Sequence, residues 1–415
     1  MQRRVIMASA VPTEWAEIKW MLRQLQEPII LFGERIEERR ERLKIVLEEL
    51  QTAGEMTVLE RLYQGLDSIT TSKTDDEFYT EGPPELLTFR QSLVSFSLAR
   101  AHQRAMNERA FIKETAHGPP QRPDWPLSLQ TDTCVPGSAV FMGLDWSPDG
   151  GVVAGSLAGE YTVFNPDLTV AQSWTPAGEG GRVTCVNTRT GIPGVSMLSG
   201  DASGGLTVWR GLGPGESARL THPGPVNRLA VHPHGATVAT STGAGTWHLW
   251  DVEQGVELSG TRAHQDQVLG LSVHPDGSLL ATASLDSTVA LWDLRTGHRA
   301  LILAQHAAGA VDVAWNPDGW RLASGGQDGR ALVWDVRRGV VAEEILAHQS
   351  VVTKVAWCQG ALVTAGHDGM VWFRDAYTYE TIRHVRLPGR LMGLAFSEYG
   401  VAVARPRVVS VLRCT

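Results

Sequence analysis

From about residue 138 onward, apolar and polar residues alternate over short stretches that are separated by turns. The stretch 263–297 shows this pattern most clearly, because its two-residue periodicity is broken by HisProAspGly at 274–277 and by a tight turn at Asp286. Pro, Asp and Gly are residues that hairpin turns favour. The pattern therefore predicts an antiparallel sheet of four short strands, at residues 268–273, 279–283, 289–294 and 299–303.

The same unit recurs along the chain. Trp250, Trp292 and Trp334 occupy one place in successive units and are spaced 42 residues apart, and Trp209 stands 41 residues before Trp250. In three further units this place is held by Phe164, Arg374 and Leu412. Seven units of about 40 residues, with four strands each, are typical of the WD40 β-propeller. We therefore predict an all-β, seven-bladed WD40 propeller over residues 127–415.

The ring of blades has to close without an exposed sheet edge. The last unit ends at Thr415, just after its third predicted strand. The segment LeuSerLeuGlnThrAspThr at 127–133 precedes the first unit and has the character of a strand. We expect this segment to supply the outermost strand of the last blade.

Each blade is expected to contain a buried set of hydrogen-bonded side chains. In the unit 263–297 the predicted members are His264, Ser284, Asp286 and Trp292. Asp286 would accept a hydrogen bond from the His264 ring, and the Ser284 hydroxyl would bridge to the indole N–H. A His, a Ser and an Asp together could also indicate a hydrolase. Since the set recurs with the blade and decays in several units, a structural role is favoured.

Residues 1–116 have helical rather than alternating periodicity and predict an N-terminal arm. A first helix is expected from Thr13 to about Gln26, a second over about 34–52, and a long helix from near Pro84 to about Thr115. Residues 117–126 hold four prolines and predict a stiff linker to the propeller.

The long helix is the one local basic feature, because residues 90–113 hold five cations and a single acidic residue, Glu108. An apolar stripe predicted for its packed face consists of Val94, Leu98, Ala101, Ala105 and Ile112, and the stripe is flanked by Arg100, Arg104, Arg109 and Lys113. Two interpretations are open: the cations border a packed face, or they contact RNA phosphates. Arg39 and Arg40 in the second helix are further RNA-proximal candidates, although acidic residues are interleaved with them.

Composition limits the function classes. The net charge is −8, so any RNA contact has to be local. The cysteines form no CxxC pair, and no apolar run reaches the roughly 18 residues of a membrane span. No glycine-rich phosphate loop follows a predicted strand and opens a helix. We therefore expect no enzymatic activity, no metal, no cofactor, no small-molecule substrate and no membrane partner.

The segment EPIILFGERIEERRERL at 27–43 resembles the short splicing-factor motif, on the strength of Glu27, Pro28, Leu31, Phe32 and Gly33. The stretch 78–110 is similar to a second conserved stretch that accompanies this motif. A motif of this kind followed by a propeller resembles the WD-repeat pre-mRNA processing factors of the U4/U6 small nuclear ribonucleoprotein.

The resemblance implies a non-catalytic scaffold in the nucleus, within the U4/U6 and U4/U6·U5 particles. The propeller would hold a second particle protein, and the arm would approach U4/U6 RNA directly or through neighbours, among other tri-snRNP proteins. Animal members of the family carry a longer leader that binds a cyclophilin, and we expect no room for that leader here.

Two other functions remain open. TrpAspLeuArg at 292–295 and TrpAspValArg at 334–337 match the WDxR pattern of substrate receptors of cullin-type ubiquitin ligases. Both fall on the Trp-Asp of the repeat itself, so only the Arg is additional. A scaffold of another complex would share every feature of the propeller and differ in what the arm binds.

Overall fold

A computed structural model describes residues 15–25, 36–52, 80, 82–115, 127–129, 133–134, 140–176, 181–215, 217–358, 360–397 and 400–414. The motif residues Glu27, Pro28, Leu31, Phe32 and Gly33 lie outside these ranges, as does the predicted linker 117–126. The domain boundaries therefore stay a prediction. The chain divides into two compact units, Met1–Phe78 with Asp335–Val340, and Tyr79–Trp334 with Val341–Thr415.

The first unit contains two helices that pack against each other, α1 (Trp15–Gln24) and α2 (Ile36–Thr52). In α1 the side chains of Ile18, Met21 and Leu22 are fully buried, and in α2 those of Leu43 and Leu47 are buried. These spacings of three and four residues place the apolar side chains on one face of each helix, which is the physical reason the pair forms.

The second unit begins with a long helix, α3 (Pro84–Thr115). Proline suits the first turn of a helix, since the N–H that it lacks would have no partner there. Glu85 in the same turn places a negative charge near the positive end of the helix dipole.

The rest of this unit is a propeller of seven sheets. Two short strands precede it, β1 (Leu127–Leu129) and β2 (Thr133–Cys134). Blade 1 consists of β3 (Phe141–Trp146), β4 (Val152–Ser156), β5 (Tyr161–Phe164) and β6 (Val170–Trp174); blade 2 of β7 (Val183–Asn187), β8 (Met197–Asp201), β9 (Gly205–Trp209) and β10 (Ser217–Thr221); blade 3 of β11 (Val226–Val231), β12 (Thr237–Thr242), β13 (Thr246–Asp251) and β14 (Val256–Arg262).

The later blades repeat this order. Blade 4 consists of β15 (Val268–Val273), β16 (Leu279–Ser284), β17 (Val289–Asp293) and β18 (Arg299–Leu303); blade 5 of β19 (Ala310–Trp315), β20 (Arg321–Gly326), β21 (Arg330–Asp335) and β22 (Val340–Leu346); blade 6 of β23 (Val352–Cys358), β24 (Ala361–Gly366), β25 (Met370–Asp375) and β26 (Thr381–Arg386); blade 7 of β27 (Gly393–Ser397), β28 (Gly400–Arg405) and β29 (Val408–Cys414).

Blade 7 is completed from the other end of the chain. Strand β1 pairs antiparallel with β29, with Leu127 opposite Cys414 and Leu129 opposite Leu412, and β2 pairs with the beginning of β29. This pairing covers the edge that the last blade would otherwise expose. The predicted fold class, a seven-bladed WD40 propeller with a helical N-terminal region, is confirmed.

The core of the propeller lies between neighbouring blades. The second strand of a blade is buried on both faces, as in β12, whereas the outermost strand is partly exposed, as in β18. The first strand of each blade contacts the first strand of the next, so these strands surround the axis. Trp146, Trp209, Trp247 and Trp334 are among the largest fully buried side chains.

Candidate interaction surfaces

One face of α3 packs on the propeller. Leu86, Phe89 and Leu93 are buried and join an apolar cluster that contains Leu271 and Leu280 of blade 4. The burial of each such side chain contributes about 1.5–3 kcal/mol. Together these three outweigh any single surface ion pair in holding the helix.

The apolar stripe predicted for this helix is therefore wrong in its main members. Val94 is 43 % exposed and Leu98 is 61 % exposed, while Ala101 is half-buried and Ala105 buried. The side chain of Ile112 lies outside the described residues. The helix carries apolar residues on more than one face, and the propeller surface selects the face with Leu86, Phe89 and Leu93.

A polar contact fixes the beginning of α3. The backbone N–H of Thr80 donates to the Thr296 carbonyl at 3.0 Å, and Arg90 donates to the Thr80 carbonyl at 2.8 Å and to its hydroxyl at 2.6 Å. Gly297 in the adjacent turn has a φ of +78°, and a Cβ there would lie 2.0 Å from the Thr80 hydroxyl. Both the backbone conformation and the close approach require glycine at this position.

Arg104 binds two successive blades. Its Nε and Nη2 donate to Asp276 Oδ2 at 3.0 and 2.6 Å, and its Nη1 donates to the Asp318 carbonyl at 2.9 Å. The side chain of Asp276 is 5 % exposed and that of Arg104 is 24 % exposed. A two-pronged pair of this kind is both strong and directional. The Arg104 guanidinium is therefore bound to the propeller.

The other RNA-proximal candidates are distributed over both units. On α3, Arg100 and Arg109 are exposed, and the Arg100 guanidinium lies 5.0 Å from the centre of the Phe96 ring. The side chain of Lys113 lies outside the described residues. On α2, Arg40 is exposed and Arg39 is half-buried. Contact of these side chains with RNA stays a prediction.

Histidines connect the turns under α3. His232 Nδ1 accepts from the N–H of His234 and Nε2 lies 2.8 Å from the Gly277 carbonyl. One blade on, His274 Nδ1 accepts from the N–H of Asp276, and Nε2 lies 2.8 Å from the Gly319 carbonyl. Since Nδ1 accepts in both rings, Nε2 carries the proton and donates, so both rings are neutral. Burial, the largest cause, lowers the pKa of both to about 4.

We expect mild acid to destabilise the propeller. Unfolded histidines titrate near 6.5, whereas His232 and His274 have a pKa of about 4 in the folded protein, so between these values the unfolded state binds more protons. The free energy of unfolding should fall by roughly 1 kcal/mol per pH unit per histidine as the pH drops from 6.5 to 5. Urea titrations at several pH values measure this slope. His274→Gln should make this slope shallower by about 1 kcal/mol per pH unit. An unchanged slope in His274→Gln would refute the assignment.

The buried set of blade 4 differs from the predicted set in one member. His264 Nδ1 lies 2.9 Å from Asp286, but the indole N–H of Trp292 donates to the Thr282 hydroxyl at 3.1 Å, and His264 Nε2 lies 2.8 Å from the same hydroxyl. Ser284 instead donates to the Asp266 carbonyl. The prediction that Ser284 bridges to the indole is wrong.

The register of the strands explains this difference. The Trp292 backbone pairs with Leu280, so Thr282 is the next residue on the same face of β16, and Ser284 lies a further two residues along. Two residues along a strand correspond to about 7 Å, which places Ser284 beyond the reach of the indole. The equivalent residue of blade 5, Ser324, makes the same contacts with Trp334 and His306, both at 2.8 Å.

The exposure of these hydroxyls decides against a hydrolytic site built from them. Asp286, His264 and Thr282 form a relay that resembles a catalytic triad, but Thr282 and Ser324 are both 0 % exposed. A nucleophile has to reach its substrate. The relay therefore has a structural role, because it holds the segment between β14 and β15 against β16 and β17.

Three protein families match parts of the chain. The WD40 repeat family (WD domain, G-beta repeat) matches residues 216–251 and 255–293, and the WD40 domain of anaphase-promoting complex subunit 4 matches 303–360. The family described as pre-mRNA processing factor 4 (PRP4) like matches residues 18–45. The chain is a WD40 β-propeller protein with a PRP4-like segment at its N-terminal end.

Three individual relatives are PRP4 or PRP4-like proteins of U4/U6 small nuclear ribonucleoproteins. A U4/U6 small nuclear ribonucleoprotein PRP4-like protein of Arabidopsis thaliana is 38% identical over 115 residues, covering 26% of this chain and 21% of that protein. The Homo sapiens U4/U6 small nuclear ribonucleoprotein Prp4 is 35% identical over 116 residues, covering 25% and 19%. The Saccharomyces cerevisiae U4/U6 small nuclear ribonucleoprotein PRP4 is 27% identical over 281 residues, covering 60% and 55%.

The aligned part of the chain thus spans about a fifth of the plant and human relatives and about half of the yeast relative. Its order of parts, a PRP4-like segment followed by WD40 repeats, agrees with the resemblance that the motif at 27–43 indicates. The resemblance to the PRP4-like WD-repeat splicing factors is confirmed.

Proposed function

We propose that this protein is a non-catalytic subunit of the U4/U6 small nuclear ribonucleoprotein and acts in pre-mRNA splicing in the nucleus. The observation that carries the proposal is the combination of a PRP4-like segment at 18–45 with a WD40 propeller in one chain. WD40 repeats alone occur in proteins of many functions, so the combination is more specific than either part.

In this proposal the propeller holds a second particle protein at the end opposite the one on which α3 lies. The helix lies over the first turn of successive blades, at 232–235, 274–277 and 316–319. In an antiparallel blade the next turn, such as 285–288 of blade 4, lies at the opposite end of the strands. That opposite end is the surface that we assign to the partner protein, among other proteins of the U4/U6·U5 particle.

The helix α3 supplies the RNA-proximal cations. Since Arg104 is bound to Asp276, the exposed Arg100 and Arg109 are the described α3 side chains that can meet phosphate without breaking an ion pair. Arg39, Arg40 and Lys113 are additional candidates. Two phosphate contacts would give a slope of about −2 for log K against log salt concentration.

This assignment predicts that Arg100→Glu with Arg109→Glu reduces ultraviolet crosslinking of the protein to U4/U6 RNA in native extract about tenfold. With purified components, the salt slope should become shallower by about 2. The matched control is Arg262→Glu with Arg299→Glu, which reverses two exposed cations on the propeller. Equal crosslinking by both double variants would show that α3 does not touch the RNA.

A further inference from the structure

The central cavity of the propeller is surrounded by structurally equivalent residues of the innermost strands. In six of these strands a β-bulge precedes this residue. The equivalent residues of blades 1 to 7 are Gly143, Cys185, Arg228, Gly270, Asp312, Lys354 and Gly393. The cavity that these strands enclose has a volume of about 240 Å³, and six of the seven residues line it.

Two cations in this ring converge on a single carboxylate. Lys354 Nζ lies 3.2 Å from Asp312 Oδ1, and Arg228 Nη2 lies 3.8 Å from the same oxygen. The other oxygen, Asp312 Oδ2, accepts the backbone N–H of Val355 at 3.0 Å. One carboxylate therefore faces two positive charges, and its second oxygen is already occupied by the neighbouring blade.

One nitrogen of the Arg228 guanidinium also lacks a hydrogen-bond partner within the part of the chain that the structure describes. Arg228 Nε is buried and has no hydrogen-bond partner among the described residues. The side chains of Arg228, Lys354 and Asp312 are 19 %, 16 % and 5 % exposed. Burial, followed by the charge of Arg228, lowers the pKa of Lys354 to about 8, because Asp312 offsets these effects only in part. Buried charge that is not fully compensated is costly, and a bound anion would remove that cost.

Two other titratable groups line the same cavity. Burial raises the pKa of the Cys185 thiol, and the thiol is therefore neutral at physiological pH. Burial also raises the pKa of Asp145, whose carboxylate accepts the Thr188 N–H at 2.8 Å, and the cation that acts on it is Arg189. Among the described residues, Asp312 is the carboxylate that forms ion pairs with Arg228 and Lys354.

The glycines of the ring allow neighbouring inner strands to pack very closely. A Cβ at Gly143 would lie 2.8 Å from the Val186 backbone nitrogen, and a Cβ at Gly270 would lie 2.8 Å from the Asp312 Cα. Neighbouring strands thus approach as closely as glycine allows, so Arg228 and Lys354 project from a framework that cannot easily collapse around them.

We propose that the space between Arg228 and Lys354 in the central cavity binds a small oxyanion, a phosphate or carboxylate group. The Arg228 guanidinium lines the cavity, and its N–H donors have the planar fork geometry that oxyanions match. The Lys354 ammonium adds a point charge beside it. This site is independent of the proposed role in splicing, because it rests on the propeller alone.

The test follows the acetylation of Lys354 by an N-hydroxysuccinimide ester at pH 8, with peptides quantified by mass spectrometry. The chain has few lysines, and the exposed Lys44 serves as an internal standard. We expect inorganic phosphate, at constant ionic strength, to slow acetylation of Lys354 at least fivefold and that of Lys44 not at all. Acetate in a parallel series shows whether a carboxylate suffices.

Arg228→Met should abolish this protection, whereas Arg299→Met, which removes an exposed cation outside the cavity, should retain it. Circular dichroism melting checks that each variant is folded, and phosphate should raise the melting temperature of the wild type but not of Arg228→Met. If phosphate leaves Lys354 acetylation unchanged, or protects it equally in Arg228→Met, the cavity is not an oxyanion site.

Discussion

Replacement of Arg104 by Met is expected to lower the free energy of unfolding by about 3 kcal/mol. This value is the lower end of the range for breaking a buried ion pair, because Arg104 is partly exposed. The substitution retains most of the side-chain volume but leaves the carboxylate of Asp276, which is 5 % exposed, without its cation. It also removes the hydrogen bond to the Asp318 carbonyl in blade 5. Denaturant unfolding measures the loss.

Arg104→Met should also loosen the second half of α3 more than the first. Because Leu86, Phe89 and Leu93 still pack on the propeller, the first half of α3 should stay bound, while amide exchange should accelerate from about residue 97 to 109. Arg109→Met is the matched control, since Arg109 is an exposed cation on the same helix. Equal losses in the two variants would mean that the Asp276 pair does not stabilise the helix on the propeller.

The second large effect is expected at Thr282. Thr282→Val keeps the shape of the side chain but removes the hydroxyl that accepts from the Trp292 indole and lies beside His264 Nε2. Two buried polar groups lose their partner at about 1–3 kcal/mol each, so the expected cost is about 2–6 kcal/mol.

The comparison with Ser284→Ala makes this prediction specific. Ser284 is as buried as Thr282, but among the described residues its hydroxyl bonds with the Asp266 carbonyl and the Asp286 N–H alone, both at 3.2 Å. We expect a loss of about 1 kcal/mol there. A larger loss in Ser284→Ala than in Thr282→Val, measured by thermal or urea unfolding, would restore Ser284 as the bridging residue.

The fold could be predicted from the sequence because the repeat is visible in two independent ways. The spacing of Trp209, Trp250, Trp292 and Trp334 gives the period, and alternation within 263–297 gives the strands. Strands β15 and β18 begin and end where the alternation indicates. Local pattern and overall closure agree, which is the condition under which a sequence can be interpreted reliably.

The contacts of α3 could not be predicted in the same way. A helical wheel shows which residues share a face, but α3 has two apolar faces, and only the shape of the propeller turns selects the one with Leu93. The role of Arg104 depends on Asp276, 172 residues later, and no local pattern connects them. That the Trp292 indole donates to Thr282 and not to Ser284 follows from the register of β16 and β17, which the sequence does not show.

The cation pair of the central cavity had a signal in the sequence that was available. Arg228 and Asp312 are 84 residues apart, and Asp312 and Lys354 are 42 residues apart, which correspond to two periods and one period of the repeat. Charged residues at a position that surrounds the axis of a ring have to meet one another. The distances to Asp312, and hence the imbalance of charge, needed the structure.

The proposal that this chain belongs to a U4/U6 particle is tested most directly by sequencing the RNA that copurifies with the tagged protein from native extract at moderate salt. We expect strong and matched enrichment of U4 and U6 RNA, with U5 RNA weaker. Absence of spliceosomal RNA, with a ubiquitin-ligase adaptor or other proteins in its place, would contradict the claim and leave only the WD40 propeller and its arm.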